Sequence, residues 1–279
     1  MNARKTGTRE WSEHSVNCCV GCSHDCLYCY ARLQARRFGQ IKTAADWRRE
    51  QPVAPAIIRQ PQNYHGRYKG VVMFPTRHDL TPGNRESCMA VLKKLLAAGN
   101  QVLLVTKPHL EIMPEVAGVA RAYPNGPWET GYRHFEVRCS ITCLDDDVRR
   151  QWEPGAPDIQ ERIEALRYLH AEGIPTSVSI EPNLQPDRVH RLVEIINPYV
   201  SGTIWIGKLN QMQARLKWAF DGTHGLPAED QAALADAAKA LRLQQSDEAV
   251  MSVVQRLKAH PLVRWKDSYQ EVIERNGGK

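Results

Sequence analysis

The sequence predicts an α/β protein: a partial (β/α)6 barrel followed by a C-terminal helical extension. Two observations carry this reading. From residue 70 onward, short apolar runs alternate with helical patterns, the signature of βα units feeding a mainly parallel sheet. After Asn210 the pattern is helical alone. Right-handed crossovers would curl the βα units into an open barrel whose working edge lies at the strand carboxyl ends.

Residues 71–74 read as a buried strand, followed by a turn through Pro82-Gly83 and a helix over 85–98. A strand over 101–106 comes after Gly99-Asn100, then a helix over 110–122 and a Pro/Gly-rich loop over 123–131. The strand expected over 134–142 alternates cleanly. Phe135, Val137, Cys139 and Ile141 share one face; Glu136, Arg138, Ser140 and Thr142 share the other. Polar side chains on the inward face of a buried strand point to a cavity. Residues 176–181 repeat the pattern, with Val178 and Ile180 opposite Ser177, Ser179 and Glu181.

Between these strands, a helix over 145–151 is interrupted at Pro154-Gly155-Ala156-Pro157, and a second, over 159–171, closes at Gly173. A helix over 187–196 and a strand over 202–206 complete the series. With one strand before the cysteines, six strands alternate with helices. The extension holds helices over 227–244, 247–260 and 266–274. The expected organisation is a core over 1–210, with a cysteine loop at 18–30 and an insertion at 40–70, then the extension over 211–279. Long insertions are often functional.

Composition bounds the class. The chain has 279 residues, 42% hydrophobic and 24% charged, with mean hydropathy −0.48, and no apolar run is long enough to suggest a membrane span. Residues 1–11 carry Arg4, Lys5 and Arg9 without an apolar stretch behind them, so no secretory signal is expected and the expected location is the cytoplasm. Net charge is +6, but residues 1–69 carry +7 and the rest −1. A basic rim of this kind attracts anionic partners, and equally suits a solvated helix face.

Five of the eight cysteines, Cys18, Cys19, Cys22, Cys26 and Cys29, fall within twelve residues. In a reducing compartment such crowding points to metal or redox chemistry rather than bridges. Cys22, Cys26 and Cys29 have C-x3-C-x2-C spacing, and three thiolates on one short loop reach three corners of a cubic iron-sulfur cluster. One iron is left open for a substrate. The array Cys19, Cys22, Cys26 and Cys29 also permits a four-thiolate zinc site or a closed four-cysteine cluster, as in a metal-stabilised nucleic-acid-binding module, although its three-residue spacer is short for zinc.

Cys22, Cys26 and Cys29, with Tyr28 before the third, resemble the C-x3-C-x-aromatic-C motif of the radical S-adenosylmethionine (SAM) enzymes. Residues 21–32, 104–107, 140–142, 145–147, 153–157 and 173–175 resemble the subgroup related to spore photoproduct lyase, over about residues 15–207. The resemblance implies a partial (β/α)6 barrel of radical SAM type, a 4Fe-4S cluster and SAM. It implies SAM cleavage to a 5'-deoxyadenosyl radical that abstracts hydrogen from a substrate, and an external one-electron donor of flavodoxin or ferredoxin type. Nucleic acid is a candidate substrate.

Carried over residue by residue, Cys22, Cys26 and Cys29 would ligate the cluster, and Tyr28 would lie near the SAM adenine. Lys107 and Ser140 would meet the polar end of SAM, with Glu181 accepting from its ribose or amino group. Tyr30 stands where the lyase has a tyrosine linked to hydrogen-atom transfer. Where many members have Gly-Gly-Glu after the second strand, residues 74–79 read Phe-Pro-Thr-Arg-His-Asp, which leaves Asp79 or backbone carbonyls to accept from the SAM amine. The lyase's hydrogen-donating cysteine near this strand end has no counterpart, since no cysteine lies between Cys29 and Cys88.

Overall fold

The computed structural model describes residues 6–52, 64, 66–123 and 134–277. Much of the expected insertion, 53–63 and 65, and the loop over 124–131 lie outside the described residues. The strands are β1 (His14–Ser15), β2 (Cys19–Val20), β3 (Gln51–Pro52), β4 (Val71–Phe74), β5 (Gln101–Thr106), β6 (Phe135–Ser140), β7 (Thr176–Ile180), β8 (Ile204–Ile206) and β9 (Val263–Trp265).

β1, β4, β5, β6, β7, β8 and β9 form one sheet in that order, and every neighbouring pair is parallel. The first six are the six expected strands. The three helices expected in the extension are present, and β9 inserts between the last two to extend the sheet beyond β8. β2 and β3 pair antiparallel as a separate small ribbon at the root of the cysteine loop.

The two faces of the sheet follow the period-two pattern. Val137, Cys139, Val178 and Ile180 are fully buried in the main core, which also takes in Val91, Leu92 and Leu95 of the helix Arg85–Ala97. Ala165, Leu166 and Leu169 of Ile159–Ala171 join them. On the other face the register sets Arg138 beside Ser177 and Ser140 beside Ser179. Buried polar groups there need partners. Arg138 Nε donates to Ser177 Oγ at 2.9 Å, Ser177 donates to Glu136, and the Arg138 guanidinium pairs with Glu136 at 3.1 Å.

Trp11 and Trp205 close over this polar layer. Their rings meet edge to face at 6.0 Å, and Arg138 lies 4.6 Å from the Trp11 centroid. Both tryptophans therefore pack against cations in the sheet interior. Fully buried Lys266 locks the N-terminal segment to β9: its Nζ pairs with Glu10 at 2.7 Å and donates to the Gly7 carbonyl at 2.8 Å. The short helix Gly7–Glu10 and Trp11 thereby reach the pocket formed at the strand ends. Among the described residues no helix is long and apolar enough to cross a membrane.

Candidate active site

A concave pocket of about 330 Å³ opens at the carboxyl ends of β4 to β8, the edge at which open α/β sheets bind ligands. Cys22, Cys26, Cys29, Tyr28, Tyr30, Asp79, Lys107, Ser140 and Glu181 all line it. Arg77, Lys208 and Arg215 add positive charge to its wall.

The cysteine loop is shaped by backbone geometry and one buried carboxylate. Gly21 has φ +107°, and a Cβ there would sit 2.4 Å from the Trp47 carbonyl, so only glycine allows the turn. Cys22 N–H donates to that same carbonyl at 2.9 Å. Asp25 ties the loop to its surroundings through Arg32 and Arg48, each at 2.8 Å, and His224 at 3.3 Å. Arg32 also donates to the Leu27 carbonyl at 3.0 Å. Gly155 fits against the loop's far side, where a Cβ would lie 2.2 Å from the Ser23 carbonyl.

Burial pushes Cys26 up to about 12, and burial together with Asp79 and the neighbouring thiols pushes Cys22 well above the ordinary thiol range. Such thiols stay protonated until a cation replaces the protons.

Beneath the loop lies an ionic network centred on Glu153, which has no solvent exposure. Arg162, equally buried, pairs with it at 2.6 Å, Tyr28 and Thr142 donate to it, and Lys107 Nζ lies 3.9 Å away. Burial alone would raise the Glu153 carboxyl; Arg162 and Lys107 outweigh it and hold the group below its ordinary value. Burial alone would lower Lys107, but Cys26, Glu153 and Asp79 keep its ammonium above the ordinary value. Lys107 thus stays charged, with its Nζ 5.9 Å from the Tyr28 ring centroid.

Asp79 joins three elements. It accepts from Thr106 Oγ1 and from the Lys107 and Leu80 amides, and faces His24 Nδ1 at 3.2 Å. Burial is again outweighed, here by His24 and Lys107, and the carboxyl stays well below the ordinary range. Both Asp79 and Glu153 therefore bind a proton more weakly in the folded than in the unfolded chain. Their stabilisation is full above the unfolded carboxylate range near about pH 4 and is lost as pH falls through the lower folded values. Thermal unfolding from neutral to acid pH should show a steep loss below about pH 4, reduced in Asp79→Asn.

The remaining expected residues occupy the rim. Glu181 lies 3.4 Å from Lys266 and is raised by burial. Ser140 ends β6, and its carbonyl accepts from Arg162 at 3.3 Å. Tyr30 opens the helix Tyr30–Arg37, donates to the Thr76 carbonyl, and lies under Arg215, 5.8 Å from its centroid.

Sequence reasoning missed the role of Glu153, Arg162 and Lys266, and that of Gly7, Thr8 and Lys208 in the wall. The 153–157 block marked Glu153 without naming its partners. Asp145 is the N-cap residue of the helix Asp146–Trp152 but makes no side-chain cap bond; its carboxylate accepts from Gln185 at 2.6 Å and from Arg188 at 2.9 Å. Cys139 and Cys143 are buried and do not line the pocket.

Residues 16–197 match the radical SAM superfamily. The chain belongs to the radical SAM superfamily. That superfamily uses a 4Fe-4S cluster and SAM. An uncharacterized protein of Acidianus two-tailed virus is 26% identical over 195 residues, covering 64% of this chain and 59% of that protein. One of Mycobacterium tuberculosis is 24% identical over 179 residues, covering 61% and 49%. The chain thus spans about half of the curated relatives it matches.

Among solved structures, spore photoproduct lyase complexed with dinucleoside spore photoproduct superposes with TM-score 0.55 at 14% identity, over 95% of this chain and 79% of that one. A cysteine-to-alanine variant of the lyase with the same compound gives TM-score 0.56 at 14% identity, with the same coverage. This radical SAM chain therefore shares the lyase fold.

Proposed function

We propose that Cys22, Cys26 and Cys29 hold the 4Fe-4S cluster, that Tyr28, Asp79, Lys107, Ser140 and Glu181 form the SAM seat, and that Tyr30 handles a hydrogen atom on the substrate side. One observation carries the reading: all nine residues, drawn from the cysteine loop and the ends of successive strands, line one pocket. The donor set fits a cluster: three soft thiols in C-x3-C-x2-C spacing face one pocket and would leave one iron of a cubic cluster open. When bound, the two cofactors supply an electron and a 5'-deoxyadenosyl radical able to abstract hydrogen.

The protein's part is orientation and exclusion of water. Lys107, kept charged by its anionic neighbours, offers its ammonium to a carboxylate. Glu181, pinned by Lys266, offers acceptor oxygens to a ribose or an amine. Asp79 spends most of its acceptor capacity on Thr106, Leu80 and Lys107, so its main contribution is to hold the β4 and β5 ends together. Burial pushes Tyr30 up to about 12, so it keeps its phenolic hydrogen at neutral pH. Its hydroxyl donates to the Thr76 carbonyl at the pocket edge, which fixes the ring where a hydrogen-transfer residue would stand.

We further propose an anionic, nucleic-acid substrate, a flavodoxin- or ferredoxin-type electron donor and a cytoplasmic setting. Arg77, Lys208 and Arg215 on the pocket wall support the substrate class, as does the lyase fold, whose solved complex holds a dinucleoside photoproduct. Binding to single- and double-stranded oligonucleotides should weaken linearly in log salt. Arg77→Ala should reduce that slope by about 1. Binding indifferent to salt, or none at low salt, would remove nucleic acid as the substrate.

A further inference from the structure

Behind the pocket wall lies a second cluster of soft ligands that the proposed chemistry does not use. Cys18 Sγ is 3.7 Å from Cys88 Sγ and 3.8 Å from His78 Nε2. Among the described residues this is the group whose three ligand atoms all fall within 4.8 Å of one another, and each residue is buried. Cys18 and Cys88 do not line the pocket; His78 borders it but brings its imidazole to the two thiols.

We propose that Cys18, His78 and Cys88 form a mononuclear zinc site, separate from the cluster, that anchors the root of the cysteine loop. A tetrahedral zinc with Zn–S bonds of about 2.3 Å and Zn–N bonds of about 2.0–2.1 Å sets its sulfurs about 3.8 Å apart and sulfur from nitrogen about 3.6 Å apart. The two Cys18 distances, 3.7 Å to Cys88 Sγ and 3.8 Å to His78 Nε2, lie close to those figures, and the third pair falls within 4.8 Å. His78 is also oriented as a ligating histidine should be: Nδ1–H donates to the Asp79 carbonyl at 3.0 Å, which leaves the lone pair on Nε2. That lone pair now accepts from Cys18 N–H at 3.1 Å, so ligation costs one neutral hydrogen bond against two thiolate bonds to the ion.

The fourth position falls to Asn84 Oδ1, 3.2 Å from Cys88 Sγ, or to water. The three ligands come from different segments: Cys18 just ahead of β2, His78 in the loop after β4, and Cys88 in the helix Arg85–Ala97. An ion there would tie all three segments together at the root of the cysteine loop, four residues before Cys22. Buried soft and borderline ligands at tetrahedral spacing suit zinc over magnesium or calcium, which take oxygen.

The test is metal analysis of the full-length protein, expressed with zinc, purified without air and reconstituted with iron and sulfide. One zinc per chain is expected beside the cluster iron. A Cys22→Ala, Cys26→Ala, Cys29→Ala triple variant should lose the iron and keep the zinc. Cys88→Ser should lose zinc at least tenfold while keeping the iron. Should Cys88→Ser fail to fold, the triple variant with cobalt in place of zinc still decides, because a tetrahedral cobalt–thiolate site has its own visible bands. A wild-type chain retaining neither zinc nor cobalt, zinc that departs with the pocket cysteines, or a Cys18–Cys88 disulfide in protein kept from oxidants would each overturn the proposal.

Discussion

Replacing Cys26 by alanine is expected to eliminate cluster binding and reduce SAM cleavage to background while leaving the chain folded. Two remaining thiols cannot hold a cubic cluster that needs three protein ligands here. The fold should tolerate the change, because Cys26 is a small side chain and the loop is set by other groups: the Gly21 turn, the Asp25 ion pairs with Arg32 and Arg48, and the Leu27 amide bond to the Trp152 carbonyl at 2.9 Å. The thermal midpoint should move by only a few degrees, as for a loss of about 1 kcal/mol. Cys139→Ala removes a fully buried cysteine that does not line the pocket, and should keep its iron. Iron and sulfide content with visible absorption measures both. Equal iron loss in the two variants would contradict the assignment.

Glu153→Ala is expected to be the most destabilising single replacement near the pocket. It leaves Arg162 without its carboxylate in a site where neither side chain is exposed, and takes from Lys107 its buried counter-ion. Breaking a buried ion pair from one side costs about 3–5 kcal/mol, because the surviving charge stays desolvated. In a chain of this size that is a drop of roughly 6–20 °C in thermal midpoint. Tyr28 and Thr142 also lose an acceptor, so Tyr28 would no longer be held against the pocket. Glu153→Gln keeps an acceptor for both hydroxyls but not the charge and should fall between. Thermal unfolding of the three proteins decides; a midpoint for Glu153→Ala within a degree or two of wild type would show that Arg162 is not balanced by Glu153.

The βα alternation, the inward polar faces of β6 and β7, and the strand-end positions of Lys107, Ser140 and Glu181 are legible because period-two patterning and strand direction are local properties. β9 is not. Val263-Arg264-Trp265 is too short to display a period, and its place depends on an edge of β8 formed some 60 residues earlier. The Glu153 network is hidden for the same reason: Tyr28 and Glu153 are 125 positions apart. At 77–79 the sequence places three polar residues at one strand end, but the structure sends them three ways. Arg77 joins the pocket wall, His78 turns to Cys18, and Asp79 binds Thr106 and faces His24. Charge counting placed the basic excess in residues 1–69, yet among the described residues the lysines and arginines on the pocket wall, Arg77, Lys107, Lys208 and Arg215, all come later in the chain. Net charge per segment does not say which side chains the fold brings to one surface.

Anaerobic incubation of cluster-loaded protein with dithionite and SAM, with 5'-deoxyadenosine quantified by chromatography, decides whether this pocket carries out radical SAM chemistry. The protein should release 5'-deoxyadenosine in an iron-dependent manner, and Cys22→Ala, Cys26→Ala and Cys29→Ala should each release none above background. A protein carrying a full complement of cluster iron that yields no 5'-deoxyadenosine, or a Cys26→Ala variant that yields as much as the wild type, would contradict it.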